Sequence, residues 1–179
     1  MDDELRALRD RIAIEDCIKR YAHLLVSGEA ARVGDEVFTE DADITLGGIG
    51  AVGRSAIRDT LGGLSDTMAG VSHNITNILV ELRGDEAVAL SRIIGWHWFA
   101  RADADPFAAA DLVAVGGYQD RLRRTAQGWR IYHRRGMNFG TGIGIGVATD
   151  ALKPVFQAMW GRKPEWPVAW LHSPMPPMP

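Results

Sequence analysis

From Leu5 to Leu25 the apolar residues return every three or four positions. Ile14, Cys17, Ile18, Tyr21, Leu24 and Leu25 would form one broad face of a long helix. Asp2 and Asp3 suit the positive end of its dipole. Ser27-Gly28 breaks the pattern, and Glu29 to Phe38 resumes as a shorter helix carrying Val33, Val37 and Phe38. Thr39-Glu40-Asp41 reads as a stop. Ala42 to Leu46 predicts a short strand ended by Gly47, Gly48 and Gly50, a cluster that fits a bend or a close backbone approach. Ser55 is placed to cap a third helix over Ala56 to Leu64, with Ile57, Leu61 and Leu64 in register.

Beyond Val71 the period changes to two. His73–Leu82 and Ala87–Ala100 predict strands joined by the turn Arg83-Gly84-Asp85-Glu86. Ala109–Thr125 and Gly128–Phe139 predict a second long hairpin around Ala126-Gln127. Strand alternation would put His73, Ile75, Asn77 and Leu79 on one side. Three helices before two long hairpins indicate an α+β fold with a strongly bent, mostly antiparallel sheet. After residue 147 the composition changes: seven of the eight prolines lie between Pro154 and Pro179, with Trp160, Trp166 and Trp170 among them. Residues 148–179 are therefore expected to form a short helix and an irregular tail. Tryptophan is costly to leave in water, so that tail should lie over the domain, residues 1–147, or over a neighbouring subunit.

Composition narrows the function classes. The 179 residues suit one domain, and 46% hydrophobic with 24% charged residues is a globular balance. A net charge of -3 offers no footprint for nucleic acid. Arg121, Arg123, Arg124, Arg130, Arg134 and Arg135 would be spread along paired strands as a solvated face. The lone Cys17 excludes an internal disulfide. No secretory leader and no membrane span are expected, so the location expected is cytoplasmic. No His/Cys/Asp cluster has metal-ligand spacing. The glycines from Gly140 to Gly146 mimic a dinucleotide fingerprint, but they follow the last predicted strand and open no long helix.

Four phrases carry a resemblance: I-E-D-C-I-K-R-Y-A-H-L-L, V-F-T-E-D-A-D-I, H-N-I-T-N-I-L-V, and G-G-Y-Q-D-R-L with the later G-W-R-I and R-R-G-M-N-F. Their order and spacing, over roughly Leu8 to Ile145, resemble the SnoaL-like branch of the nuclear-transport-factor-2-like cone fold. Hexachlorocyclohexane dehydrochlorinase and scytalone dehydratase are similar members in pattern. The resemblance implies a cone-shaped α+β barrel in which His73 points into a conical cavity and removes a proton from carbon. A neutral imidazole suits that task. The same resemblance implies an aspartate near the end of helix one. Here the chain reads Leu25-Val26-Ser27-Gly28, so the aspartate position falls on Val26 or Ser27. Ser27 could accept a hydrogen bond, but without charge. Glu29, Asp35 and Asp43 are the nearest acids, and read as surface or capping carboxylates.

Tyr21 matches a pocket position of the family, where a phenol could orient a substrate oxygen, or else it is a core tyrosine. His23 faces away from it. Arg134 matches a pocket arginine that could hold a developing anion, or else it is solvated on a sheet face with Arg130 and Tyr132. Trp96 and Trp98 share one strand face and His97 and Phe99 the other, and one pair should line the cavity. The reading is a cofactor-independent lyase or isomerase of dehydratase type acting on a small hydrophobic ring compound. His73 would be the base and Tyr21 or Arg134 the stabiliser. Ser27, Val26, Trp96, Trp98 and Asn77 would contact the substrate. The alternative is a ligand-binding or accessory domain that keeps the cone without the chemistry. The open outer face of the sheet suggests a homo-oligomer, trimer before dimer.

Overall fold

Helix α1 runs over Asp2–Val26, and the predicted apolar face is the one it buries: Ile14 and Ile18 have no exposed surface. Each such side chain contributes about 1.5–3 kcal/mol by leaving water. The helix ends on Gly28, whose φ of +74° lets the chain reverse. The amides of Gly28 and Glu29 then donate to the carbonyls of Leu25 and Leu24. Helices α2 (Ala30–Val37) and α3 (Arg54–Ser65) follow. The structure is a computed structural model that describes residues 2–46, 49–100 and 112–141, with backbone alone for 137–141. The expectations for residues 148–179 fall outside the described residues.

Six strands form one open, mixed sheet: β1 (Phe38–Leu46), β2 (Ile49–Val52), β3 (Met68–Arg83), β4 (Glu86–Phe99), β5 (Leu112–Thr125) and β6 (Gly128–Thr141). Their order is β2-β1-β6-β5-β4-β3, antiparallel except where β1 runs parallel to β6. The three helices pack on it, and the core lies between them and the inner face, as the cone-shaped α+β expectation requires. Two local expectations are corrected. Thr39-Glu40-Asp41 does not stop the chain but starts β1, and the segment after the first two glycines forms β2. Gly53 rather than Ser55 precedes α3; the Ser55 hydroxyl instead accepts from Arg58.

Each hairpin carries two register shifts, and one of the two in each decides which residues of the site face inward. In β3 the ladder slips between Thr76 and Leu79, and Asn77 takes a φ of +53° there. This β-bulge turns Ile78, Val80 and Leu82 to the core and leaves Leu79 exposed. An unbroken ladder from the Arg83–Glu86 pair would set His73 opposite Trp96; the slip sets it opposite Gly95. In β6 the register shifts at Tyr132, so that Leu122 faces Ile131 while Arg121 faces His133. Ile131 and Arg134 therefore both point inward although three positions apart.

Among the described residues no helix is long and apolar enough to cross a membrane. The first half of α1 is fastened to the second hairpin by Asp10. Its carboxylate accepts from Arg124 at 2.6 Å and from the Trp129 indole at 3.1 Å.

Candidate active site

The inner face of β4 presents Ser91, Ile93, Gly95, His97 and Phe99, all buried, while Arg92, Ile94, Trp96 and Trp98 are turned outward. His73 on β3 sits across from Gly95 and meets His97 on that inner face. The two Nε2 atoms are 3.1 Å apart and the rings meet edge to face, with centroids 5.1 Å apart. Glycine is what permits this. A Cβ at position 95 would lie 2.7 Å from His73 Cδ2 and 2.9 Å from His97 Cε1.

Both imidazoles are kept neutral. Burial, then the neighbouring His97 and then the Arg134 charge, push His73 down to about 3. Burial also lowers His97, against the effect of the nearby backbone at Leu112 and Gly95. His73 Nδ1 is buried and has no hydrogen-bond partner among the described residues.

Deeper in the cone, Arg134 is wholly buried, and its Nε and Nη2 each donate to Asp120 at 2.7 Å. Its guanidinium carbon lies 4.3 Å from the ring centroids of both Tyr21 and Tyr118, close enough for the cation to rest against two π faces. Burial alone would lower the Arg134 pKa, but the Asp120 carboxylate outweighs it and holds the guanidinium charged. Nη1 has no acceptor among the described residues. Burial raises the Tyr21 and Tyr118 hydroxyls above the usual phenol range, so both keep their protons. Two neutral imidazoles, two protonated phenols and a neutralised cation thus share a mostly apolar interior. That set can accept one proton, donate to an oxygen and tolerate transient negative charge.

The candidates read from sequence are divided by the structure. His73, Tyr21 and Arg134 all lie on the inner side, where Arg134 contacts the Tyr21 ring and His73 contacts His97. The solvated alternative for Arg134 is excluded, because the β6 bulge rotates it away from Arg130 and Tyr132. Asn77 is corrected: the β3 bulge turns it outward, away from His73. Trp96 and Trp98 are corrected as well, since the unbroken alternation of β4 makes His97 and Phe99 the inner pair. Val26 is 47% exposed, and the Ser27 hydroxyl donates to the carbonyl of His23 at 2.7 Å. Ser27 therefore closes the end of α1 rather than orienting His73. Glu29 pairs with Arg32, and Asp43 lies 3.7 Å from His133 on the outside. Sequence reasoning missed Gly95, Tyr118 and Asp120, and set His97 on neither side. The signal was a glycine two residues before a histidine in a strand facing another histidine. Among the described residues no three His, Cys, Asp or Glu side chains are gathered for a metal ion.

The SnoaL-like domain model matches residues 6–135. No curated protein matches the chain. Among solved structures, a candidate scytalone dehydratase from Novosphingobium aromaticivorans is 25% identical with a TM-score of 0.63, over 80% of this chain and 89% of that one. A candidate aromatic ring hydroxylase from the same organism is 28% identical with a TM-score of 0.63, over 77% of this chain and 96% of that one. A hexachlorocyclohexane dehydrochlorinase from Novosphingobium barchaimii shares the fold, with a TM-score of 0.65 at 18% identity, over 82% of this chain and 99% of that one.

Proposed function

The chain belongs to the SnoaL-like domain family, and on that premise we propose that it is a cofactor-independent lyase or isomerase of dehydratase type. The substrate is a small hydrophobic ring compound bound in the cone. The observation that carries this reading is the part-buried His73–His97 contact on the same inner face of the sheet as the Arg134, Tyr21 and Tyr118 group. His73 accepts a proton from a ring carbon. The C–H electron pair becomes the new double bond, and a neighbouring hydroxyl leaves. The proton on His73 passes to that hydroxyl, which departs as water, and the enzyme returns to its starting state. In an isomerase the proton returns to a different carbon.

An imidazole whose pKa is lowered to about 3 is a weak base and, once protonated, a strong acid. It suits a substrate whose C–H is already acidified by a ring carbonyl, with that oxygen turned towards Arg134 and Tyr21. The same weakness supports the second reading, a domain that binds such a ligand without turning it over. A panel of ring hydroxy-ketones followed by absorbance separates the two. Turnover that falls at least ~10²-fold in His73→Ala supports the enzyme. Binding without turnover supports the second reading, and turnover unchanged in His73→Ala removes His73 as the base.

The reading extends to assembly. Leu79, 63% exposed, and Ile94, 39% exposed, lie on the outer face with Trp96 and Trp98. An apolar sheet face of this kind fits contact between copies of the chain, in a trimer before a dimer. Residues 148–179 would pack across a cavity mouth or a neighbouring copy.

A further inference from the structure

The inner positions of β4 run Ala87, Ala89, Ser91, Ile93 and Gly95, and the first three are close in size. Alanine at 87 and 89 shows that a methyl is what this stretch of the core accepts, and serine at 91 adds only a hydroxyl. Ser91 is 1% exposed, and its Oγ has no hydrogen-bond partner among the described residues. A buried hydroxyl left unpaired weakens a fold, so packing gives no reason for serine over alanine there. Its surroundings do. Ser91 stands directly opposite Tyr118 in the β4–β5 ladder, which brings the two Cβ atoms to about 4.5–5.5 Å. The guanidinium carbon of Arg134 lies 4.3 Å from the centroid of that same Tyr118 ring, and its Nη1 is likewise buried without an acceptor among the described residues.

We propose that Ser91 is a specificity-determining residue of the cone: its hydroxyl and Arg134 Nη1, both beside Tyr118, receive the oxygen-bearing end of an uncharged ring ligand, a ketone or an alcohol. This rests on reading the cone as a site for a ring compound. The charge already present excludes a carboxylate. Both oxygens of Asp120 accept from Arg134, through Nε and Nη2, and Arg134 is the one cation among the described residues that are buried. A carboxylate brought to Nη1 would set a second negative charge against a single positive one, away from water. A carbonyl oxygen accepts two hydrogen bonds and brings no charge. Ser91 also sorts ligands of equal shape. Donors placed for an oxygen penalise the analogue that lacks it, because they then stay unpaired.

Titration calorimetry of the full-length protein with 1-tetralone, tetralin and 1-naphthoate, which share one ring frame, tests this directly. The expected order is the ketone first, at least ~10-fold tighter than the hydrocarbon, with the carboxylate weakest. In Ser91→Ala the ketone should lose at least ~5-fold while tetralin binds as in wild type. The same variant should unfold at an equal or higher urea concentration, since it removes an unpaired hydroxyl. A lower midpoint would mark the hydroxyl as a support of the fold and overturn the inference. So would a carboxylate that binds more tightly than the ketone, or a Ser91→Ala effect that is absent or equal for ketone and hydrocarbon. If none of the three binds, the cone is no site for a ring compound and the inference falls with that reading. The expected order and loss, with no turnover on any ring hydroxy-ketone, would uphold Ser91 as a binding residue and remove the lyase reading.

Discussion

Asp120 and Arg134 face each other directly across β5 and β6, joined by two hydrogen bonds of 2.7 Å and shut away from water. Such a pair is sensitive to the loss of one partner, because the other is left as an uncompensated buried charge. Asp120→Asn is expected to cost about 3–5 kcal/mol in denaturant unfolding. The double change Asp120→Leu with Arg134→Met should recover most of that loss while abolishing turnover. If the single change costs nothing, the guanidinium has another counter-ion.

Gly95→Ala places a methyl where both imidazoles already lie, 2.7 Å from one and 2.9 Å from the other. The rings must part, at a cost of about 1–3 kcal/mol from overpacking. Turnover should fall at least ~10-fold while the far-ultraviolet spectrum stays unchanged. Turnover equal to wild type would show that the imidazole contact is dispensable.

How stability depends on pH follows from the direction of the histidine shifts. His73, at about 3 when folded against 6.5 when free, binds a proton more readily in the unfolded chain. The stabilisation from keeping it neutral is therefore complete above about pH 6.5 and is lost as pH falls from there towards 3. Each buried imidazole adds at most about 1.4 kcal/mol per pH unit to that slope. Asp10 acts lower down. Its hydrogen bond with Arg124 holds its carboxyl below 3.8 against the effect of burial, so its contribution is present above that value and lost beneath it. Urea midpoints measured in steps of pH should decline below about 6.5 in wild type and less steeply in His73→Phe. Parallel curves would contradict the buried, neutral pair.

Much of the fold could be read from period alone, because a helix or strand half in water writes its burial into the order of residues. The apolar face of α1, α3 and both hairpins follow that rule. The start of β1 did not, since Thr39 to Asp41 looks like a turn when the parallel partner β6, nearly a hundred residues away, is out of view. In the site, His73, Tyr21 and Arg134 were legible through family likeness. His97 was not, because both faces of β4 carry large apolar residues, Ile93 and Phe99 inward and Ile94, Trp96 and Trp98 outward; Asn77 was misplaced by the slip in β3. Strand alternation carries a parity, and parity is lost at every bulge.

For assembly, Ile94→Glu introduces a charge on the outer face of β4 without touching the inner one. It is expected to shift the sedimentation profile to monomer while binding of 1-tetralone stays as in wild type. Removing the residues after Pro164 should weaken the assembly or admit water to the cone. A wild-type chain that already sediments as a monomer would contradict the proposed interface.

The single extra residue at Tyr132 makes this site more vulnerable to register than to chemistry. Pairing Tyr132 in an unbroken ladder, with no residue lost, would leave every side chain of the active centre intact in composition. Yet it would bring His133 opposite Asp120 and throw the guanidinium to the outside of the sheet. Related chains should therefore be sorted by whether this strand is bulged before they are sorted by identity. An arginine matched one place out of step is a surface residue, however well the letters agree.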